Sequence, residues 1–165
     1  MSDERWVVNA SPLIVLAKVG HLGLLHRPGR ELVLPEPVAR EILAGPDHDP
    51  ARQALESGFG GAPVSVDITP AVAEWSLGHG ESAVISLALR RMATVMIDDR
   101  DARRAAKALG VPLIGTLGVV IRARAEGRIA SASEVLRQVS GRGFRLDDAL
   151  VAEALYSAFG EVWTC

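Results

Sequence analysis

The stretch "TVMIDDRDARRAAKALGVPLIGTLGVVIRARAEG" (residues 94–127) decides the fold class, because it contains two complete strand–helix units. Its two apolar runs are rich in Val, Ile or Leu and lack polar alternation, as do strands buried on both faces of a parallel sheet. A helical pattern follows each run. The four elements are expected at 94–97, 100–109, 112–114 and 117–126. This alternation predicts an α/β fold.

The same alternation extends over the rest of the chain. Three more strand-like runs are expected at 6–8, 31–34 and 63–66. Further helices are expected at 12–26, 36–44, 50–57, 70–76, 81–92, 132–139 and 147–158. There is no internal repeat or low-complexity linker. The sequence therefore predicts a single domain over 1–165, with a central parallel sheet of about five strands and helices on both faces.

The composition narrows the classes of partner. The 165 residues are 48% hydrophobic, enough for a substantial core, and the formal net charge of −2 argues against a surface that is basic all over. Residues 1–82 carry 6 Lys and Arg against 11 Asp and Glu, whereas residues 83–165 carry 12 against 9. This asymmetry could pair an acidic metal site with a phosphate-binding rim, or it could be scatter.

Cysteine usage and hydropathy bear on the compartment. Cys165 is the single cysteine, so no internal disulfide can form, and a reducing cytoplasm is the expected location. No apolar run approaches the ~20 residues of a membrane span. We therefore expect no membrane partner.

Polar residues lie where the predicted strands end. Asn9 follows the first strand, Asp98 and Asp99 follow the strand at 94–97, and two helices add Glu41 and Glu81. Open parallel sheets bind ligands outside the carboxyl ends of their strands. Carboxylates clustered there would repel one another unless a divalent cation lay between them. Oxygen ligands of this kind suit Mg²⁺ or Mn²⁺ and not zinc.

Each acid also has an ordinary structural interpretation. Asp98 or Asp99 could cap the helix that follows. Glu81 lies in a first helical turn, where the helix dipole favours an anion. Glu41 could be a solvated side chain beside an apolar stripe. No single residue is specific, and the sequence leaves open which of the two aspartates is a metal ligand.

Other chemistries fit less well. "GHGESA" (78–83) matches a dinucleotide-binding pattern, but a helix precedes it instead of a strand. There is no phosphate-binding loop, no H-E-x-x-H and no G-x-S-x-G. A phosphoacceptor receiver domain would need paired acids after the first strand, where only Asn9 stands. A carboxylate cluster that could bind a divalent cation remains the best supported kind of site.

Four segments together resemble the PIN-domain superfamily, and more narrowly the bacterial and archaeal PIN-like proteins related to VapC-type toxins. The segments are "VVNASPLIVLAKVG", "LVLPEPVAREI", "LGHGESAVISLA" and "VMIDDRDARRAAKALGVPLIGTLGVVIRARAEG". The most specific parts are "GTLGVV" after the last strand and "GE" at a helix start. The similarity runs from about Val7 to the end of the chain.

The resemblance implies a function and a site. It implies an endoribonuclease that hydrolyses RNA phosphodiesters with one or two Mg²⁺ or Mn²⁺ ions, as the toxin of a toxin–antitoxin pair. An antitoxin protein and a homodimer are the implied protein partners. By position, the implied metal ligands are Asn9, Glu41, Glu81 and either Asp98 or Asp99, and the four acids are the implied catalytic residues. Ser11 and, more weakly, Thr116 match supporting hydroxyl residues.

A basic cluster follows the aspartates on the predicted helix at 100–109. Its members are Arg100, Arg103, Arg104 and Lys107. These side chains could hold an RNA backbone through its phosphates. The alternative is an ordinary solvated helix face.

Asn9 departs from the family pattern, which places Asp at this position. Asn keeps one carbonyl oxygen but loses the charge and the second oxygen, so metal affinity and water activation should both fall. Asn9 could mark a natural member with weak or no activity, a substitution that permits expression of a toxic nuclease, or a protein kept for binding only. Two hypotheses follow: a metal-dependent endoribonuclease weakened by Asn9, and an inactive PIN-like module that binds nucleic acid or protein.

Overall fold

A computed structural model describes residues 4–164, and its centre is a parallel sheet of four short strands. The strands are β1 (Glu4–Val8), β2 (Arg30–Val33), β3 (Thr94–Met96) and β4 (Leu113–Ile114), in the spatial order β2-β1-β3-β4. β1 pairs in parallel with β2 and β3, and β3 pairs in parallel with β4. The α/β class and the parallel central sheet are confirmed.

The expected strand at 63–66 does not extend the sheet. Val64 forms one isolated parallel bridge with Pro35; its N–H donates to the carbonyl of Leu34 at 2.8 Å, and its carbonyl accepts from the N–H of Glu36 at 2.8 Å. The chain becomes helical from Glu36 onward, so the two segments cannot continue the ladder. The described sheet therefore has four strands, close to the expected five.

Helices connect the strands and cover the sheet. They are α1 (Ala10–Lys18), α2 (Glu36–Leu43), α3 (Pro50–Glu56), α4 (Pro70–Ala73), α5 (His79–Arg91), α6 (Arg100–Ala108), α7 (Thr116–Ala125), α8 (Ala132–Gly141) and α9 (Asp148–Phe159). The predicted helix at 12–26 is broken. α1 ends at Lys18, Gly20 turns the chain with φ of +75°, and a 3₁₀ helix follows at Leu22–Leu25. The positive φ explains the break, because glycine adopts it without steric cost.

Two hydrophobic clusters hold the molecule together. The larger surrounds the sheet and includes the fully buried Trp6, Leu16 and Ile85. The smaller lies between α7, α8 and α9 and includes Leu136 and Leu155. Within residues 4–164, no helix is both long and apolar enough to cross a membrane.

The carboxyl ends of β1 and β3 lie side by side. The N–H of Asn9 donates to the carbonyl of Met96 at 3.0 Å, which carries the β1–β3 pairing one residue beyond Val8. Asp98 comes two residues after Met96. The chain therefore delivers Asn9 and Asp98 to the same edge of the sheet.

Candidate functional site

Asn9 occupies the turn between β1 and α1, and its side chain is buried with 2% of the residue exposed. It does not cap α1 through its side chain. Instead, Nδ2 donates to Oε1 of Glu81 at 3.4 Å, and Oδ1 accepts no hydrogen bond from residues 4–164. Leaving a buried oxygen unpaired costs about 1–3 kcal/mol. Buried polar atoms in folded proteins normally have partners, so this oxygen is a candidate ligand atom.

Two glutamates reach the same place from different helices. Glu81 is half-buried in the first turn of α5, and Glu41 lies on the more exposed side of α2, which packs against α5. Partial burial and the negative charge of Glu81 raise the pKa of Glu41 above its ordinary value of 4.5. The two carboxylates therefore repel each other in the absence of a cation.

Gly80, which has no side chain, lies against two of these oxygens. A Cβ placed on Gly80 would lie 3.4 Å from Asn9 Oδ1 and 3.4 Å from Glu41 Oε2. The two oxygens therefore face one common point, on the side where residue 80 has no side chain. We define Asn9, Glu41 and Glu81 as the oxygen cluster.

Asp98 is held by the start of α7. The N–H of Thr116 donates to Oδ1 of Asp98 at 2.8 Å, and Thr116 Oγ1 donates to Oδ2 at 2.6 Å. Burial raises the pKa of Asp98 above its ordinary value of 3.8, although the two hydrogen bonds and the charge of Arg103 act in the opposite direction. Thr116, which is fully buried, thus positions this carboxylate.

Asp99 has a different place. Its Oδ2 accepts a hydrogen bond from the N–H of Ala102 at 2.9 Å and so caps α6, while the residue itself is exposed. This is the ordinary N-cap arrangement. The geometry favours Asp98 over Asp99 as the acid that faces the sheet edge.

The remaining predicted residues are spread around this edge. Arg103 is half-buried and donates from Nη1 to the carbonyl of Ile97 at 3.0 Å. Arg104 faces solvent and lies 3.8 Å from Asp101 in a surface ion pair. The others are exposed: Ser11 in the first turn of α1, and Arg100 and Lys107 on α6.

The donor set fits a hard divalent cation in part. In residues 4–164, the structure brings no three carboxylate, imidazole or thiol groups close enough to share one metal ion. The oxygen cluster supplies two carboxylates and an unpaired amide oxygen, which are ligands that Mg²⁺ and Mn²⁺ accept. An ion would also relieve the repulsion between Glu41 and Glu81. The oxygen cluster is therefore the part of the predicted site that could hold a metal.

Two features of this edge are not predicted by the sequence patterns. Gly80 is the glycine of the "GE" pair at a helix start, but the local pattern does not show that it lies against Asn9 and Glu41. The segment "GRGFR" (141–145) lies between predicted helices, and its Phe144 and Arg145 line a groove that reaches Asp98. Its signal is the alternation of glycine with arginine and an aromatic residue, a composition found where proteins contact single-stranded nucleic acid.

Comparison with known proteins identifies a family. A family model described as PIN domain matches residues 5–159, which is almost the whole chain. No curated protein matches the chain. PIN domains have a nuclease-type fold and generally use divalent metal ions. With more than half of its length matched, this chain belongs to the PIN-domain family.

Proposed function

We propose that this protein is a metal-dependent ribonuclease that hydrolyses RNA phosphodiesters at the oxygen cluster. One observation carries the proposal: the buried, unpaired Oδ1 of Asn9 faces the same point as the carboxylate of Glu41, across a position without a side chain. Buried polar atoms normally have partners, so this oxygen is suited to a ligand that binds from outside. Glu81, held against Asn9 Nδ2, completes the set.

Each residue has a defined part in this proposal. Asn9, Glu41 and Glu81 hold a divalent ion, Mg²⁺ or Mn²⁺, through oxygen. When bound, such an ion lowers the pKa of a water molecule and neutralises charge on the phosphoryl group. Asp98 keeps a free lone pair on each oxygen beyond its bonds from Thr116, so it could orient a water at the same edge of the sheet. Asp99 serves as the cap of α6.

Asn9 reduces the charge of the cluster by one. With Asp in its place, three carboxylates would meet, whereas here two carboxylates and one amide do. Ion affinity rises with the number of charged ligands. The proposed activity is accordingly weaker than that of the same site with Asp at position 9.

The resemblance to VapC-type toxins adds a biological role and protein partners to the proposal. The protein would act in the cytoplasm as the toxin of a toxin–antitoxin pair, with an antitoxin protein that blocks cleavage and a homodimer as the working form. The support for this extension is the sequence resemblance alone. Co-expression with candidate antitoxins, and native mass spectrometry of the purified chain, would test it.

The test of the activity is cleavage of a labelled single-stranded RNA in Mn²⁺, with EDTA as the metal-free control. We expect Mn²⁺-dependent cleavage by the protein, its loss in Glu81→Gln, and its retention in Asp99→Asn. Asp99 is the matched control because it is a neighbouring carboxylate that caps α6 and is exposed to solvent. Cleavage that is unchanged in both Glu41→Gln and Glu81→Gln would rule out the oxygen cluster as the site.

The second candidate is a PIN-like module that binds nucleic acid or protein without cleaving it. Asn9 itself favours this alternative, because it lowers the charge of the cluster. The variant Asn9→Asp separates the two. Cleavage by Asn9→Asp alone identifies a silenced nuclease, and no cleavage by either protein supports the binding module.

A further inference from the structure

Phe144 lies outside both hydrophobic clusters. It is half-buried in the segment between α8 and α9, and it is absent from the residues that pack on either core. Among residues 4–164, its ring stacks on no other aromatic ring. An aromatic side chain held at the surface without a packing role is available to a ligand.

Phe144 lines two grooves, one of which reaches Asp98 and the other Ser11. The first, about 460 Å³ in volume, runs between α7 and α9 to Asp98 and Arg103. The second, about 180 Å³, runs along α1 to Ser11, two residues from Asn9. A third cavity of about 320 Å³ continues from the second, because Lys18 and Arg142 line both. These three cavities share lining residues, and we call them together the Phe144 track.

Three cations along the Phe144 track have no carboxylate partner within the described part of the chain. Lys18, Arg142 and Arg145 form no ion pair there, whereas many other arginines do. Two carboxylates also line the track, and both already accept hydrogen bonds: Asp98 from Thr116, and Asp147 from the N–H of Leu150 at 3.0 Å. The track therefore presents positive charge toward a ligand.

We propose that the Phe144 track binds single-stranded RNA, with one base stacked on Phe144 and phosphates held by Lys18, Arg142 and Arg145. The inference rests on the proposed function, because it supplies the path by which a strand reaches the oxygen cluster. Aromatic platforms flanked by cations bind unpaired bases, whose faces are exposed only in single strands. The small second groove suits one strand better than a duplex.

The test measures binding, not cleavage. Short, fluorescein-labelled RNA single strands of random sequence are titrated with the protein in EDTA, and anisotropy gives the Kd. Phe144→Leu should weaken binding roughly tenfold, the usual effect of removing one stacking platform. Phe144→Trp should restore it, because the larger ring still stacks. The unfolding midpoints of both variants should equal that of the original protein, since Phe144 packs on neither core.

The cations are tested through salt dependence. The double variant Arg142→Gln with Arg145→Gln should reduce the slope of log Kd against log salt by about 0.7 for each phosphate that the arginines no longer bind. Arg90→Gln is the matched control, because Arg90 is exposed and forms no ion pair with residues 4–164. Arg90 lies near the other end of α5, roughly 14 Å along the helix from Glu81. This variant should leave both Kd and slope unchanged.

The outcomes separate this inference from the proposed nuclease. RNA binding by the Phe144 track is rejected if the protein does not bind RNA. It is also rejected if binding is unchanged in Phe144→Leu and in the double variant. Both conclusions hold whatever the cleavage assay shows. Equal binding of duplex and single strands also overturns this inference. If binding depends on Phe144 and the arginines but no Mn²⁺-dependent cleavage is seen, RNA binding by the Phe144 track is supported and the proposed nuclease activity is rejected.

Discussion

The side-chain nitrogen of Asn9 lies 3.4 Å from Oε1 of Glu81, and this contact leaves Asn9 Oδ1 buried and unpaired within the described chain. An amide can donate to a carboxylate, whereas an aspartate in the same place would add a second negative charge beside it. Asn9 therefore lets the cluster remain stable without a cation and still offers an oxygen to one. This relationship leads to the first prediction.

Asn9→Asp should destabilise the metal-free protein and increase its response to metal. Loss of the Nδ2 donor and the new repulsion at Glu81 should lower the free energy of unfolding in EDTA by about 1–3 kcal/mol. Mn²⁺ should recover this loss, because it binds the folded state. Thermal unfolding with and without Mn²⁺ measures both effects. Equal Mn²⁺-induced shifts in the variant and the original protein would contradict the proposed ion site.

Gly80→Ala should separate activity from stability. The added methyl would lie 3.4 Å from Asn9 Oδ1 and from Glu41 Oε2, so the fold can accept it, and alanine is the better helix former. The methyl would nevertheless fill the point that both oxygens face. We expect equal or higher stability with cleavage reduced about ten- to hundredfold.

Gly23→Ala is the control for this change, since nothing lies within 4 Å of a Cβ at residue 23 and the site is remote in sequence. Cleavage rates and unfolding midpoints of the two variants are compared side by side. Full cleavage by Gly80→Ala would show that the space above Gly80 is not used.

Thr116→Val should destabilise the protein through Asp98. The hydroxyl of Thr116 donates to Asp98 Oδ2 at 2.6 Å, and Val has the same shape but no donor. The half-buried carboxylate would lose a partner, at a cost of about 1–3 kcal/mol in unfolding free energy. Thr116→Ser keeps the hydroxyl and should lose much less. Urea unfolding of both variants provides the measurement, and a loss in Thr116→Ser that exceeds the loss in Thr116→Val would mean that the methyl group, not the hydroxyl, matters.

Glu161→Gln should destabilise the protein in a pH-dependent way. Burial alone would raise the pKa of Glu161, but hydrogen bonds from the Ser133 N–H at 2.8 Å and from Arg124 Nε at 3.1 Å hold it below the ordinary value of 4.5. A lowered pKa contributes stability above pH 4.5, and that stability is lost as the pH falls through the folded-state value.

The expected loss in Glu161→Gln is about 1 kcal/mol at neutral pH, as for other carboxylates at helix starts, and the difference should vanish in acid. Glu153→Gln is the control, because Glu153 is exposed on α9. Urea unfolding across the acid range measures both variants. A loss that persists unchanged in acid would assign the effect to packing instead of charge.

Much of the architecture is readable from local sequence. The runs at 94–97 and 112–114 form parallel strands, and helices begin and end close to their prolines and glycines, because these signals act over a few residues. Prediction failed where pairing depends on a distant partner. The run at 63–66 looks like a strand, yet the chain that it meets turns into α2 at Glu36, and only one bridge forms.

The sequence by itself determined the α/β class, the parallel sheet, and the delivery of Asn9 and Asp98 to one edge, because parallel strands end on the same side. Only the tertiary structure decided which groups meet there. The contact of Asn9 with Glu81 spans 72 positions, the gap above Gly80 requires α2 to pack on α5, and the place of Phe144 depends on how α8 and α9 pack on α7. Such arrangements arise from side-chain packing between distant segments, which no local pattern encodes.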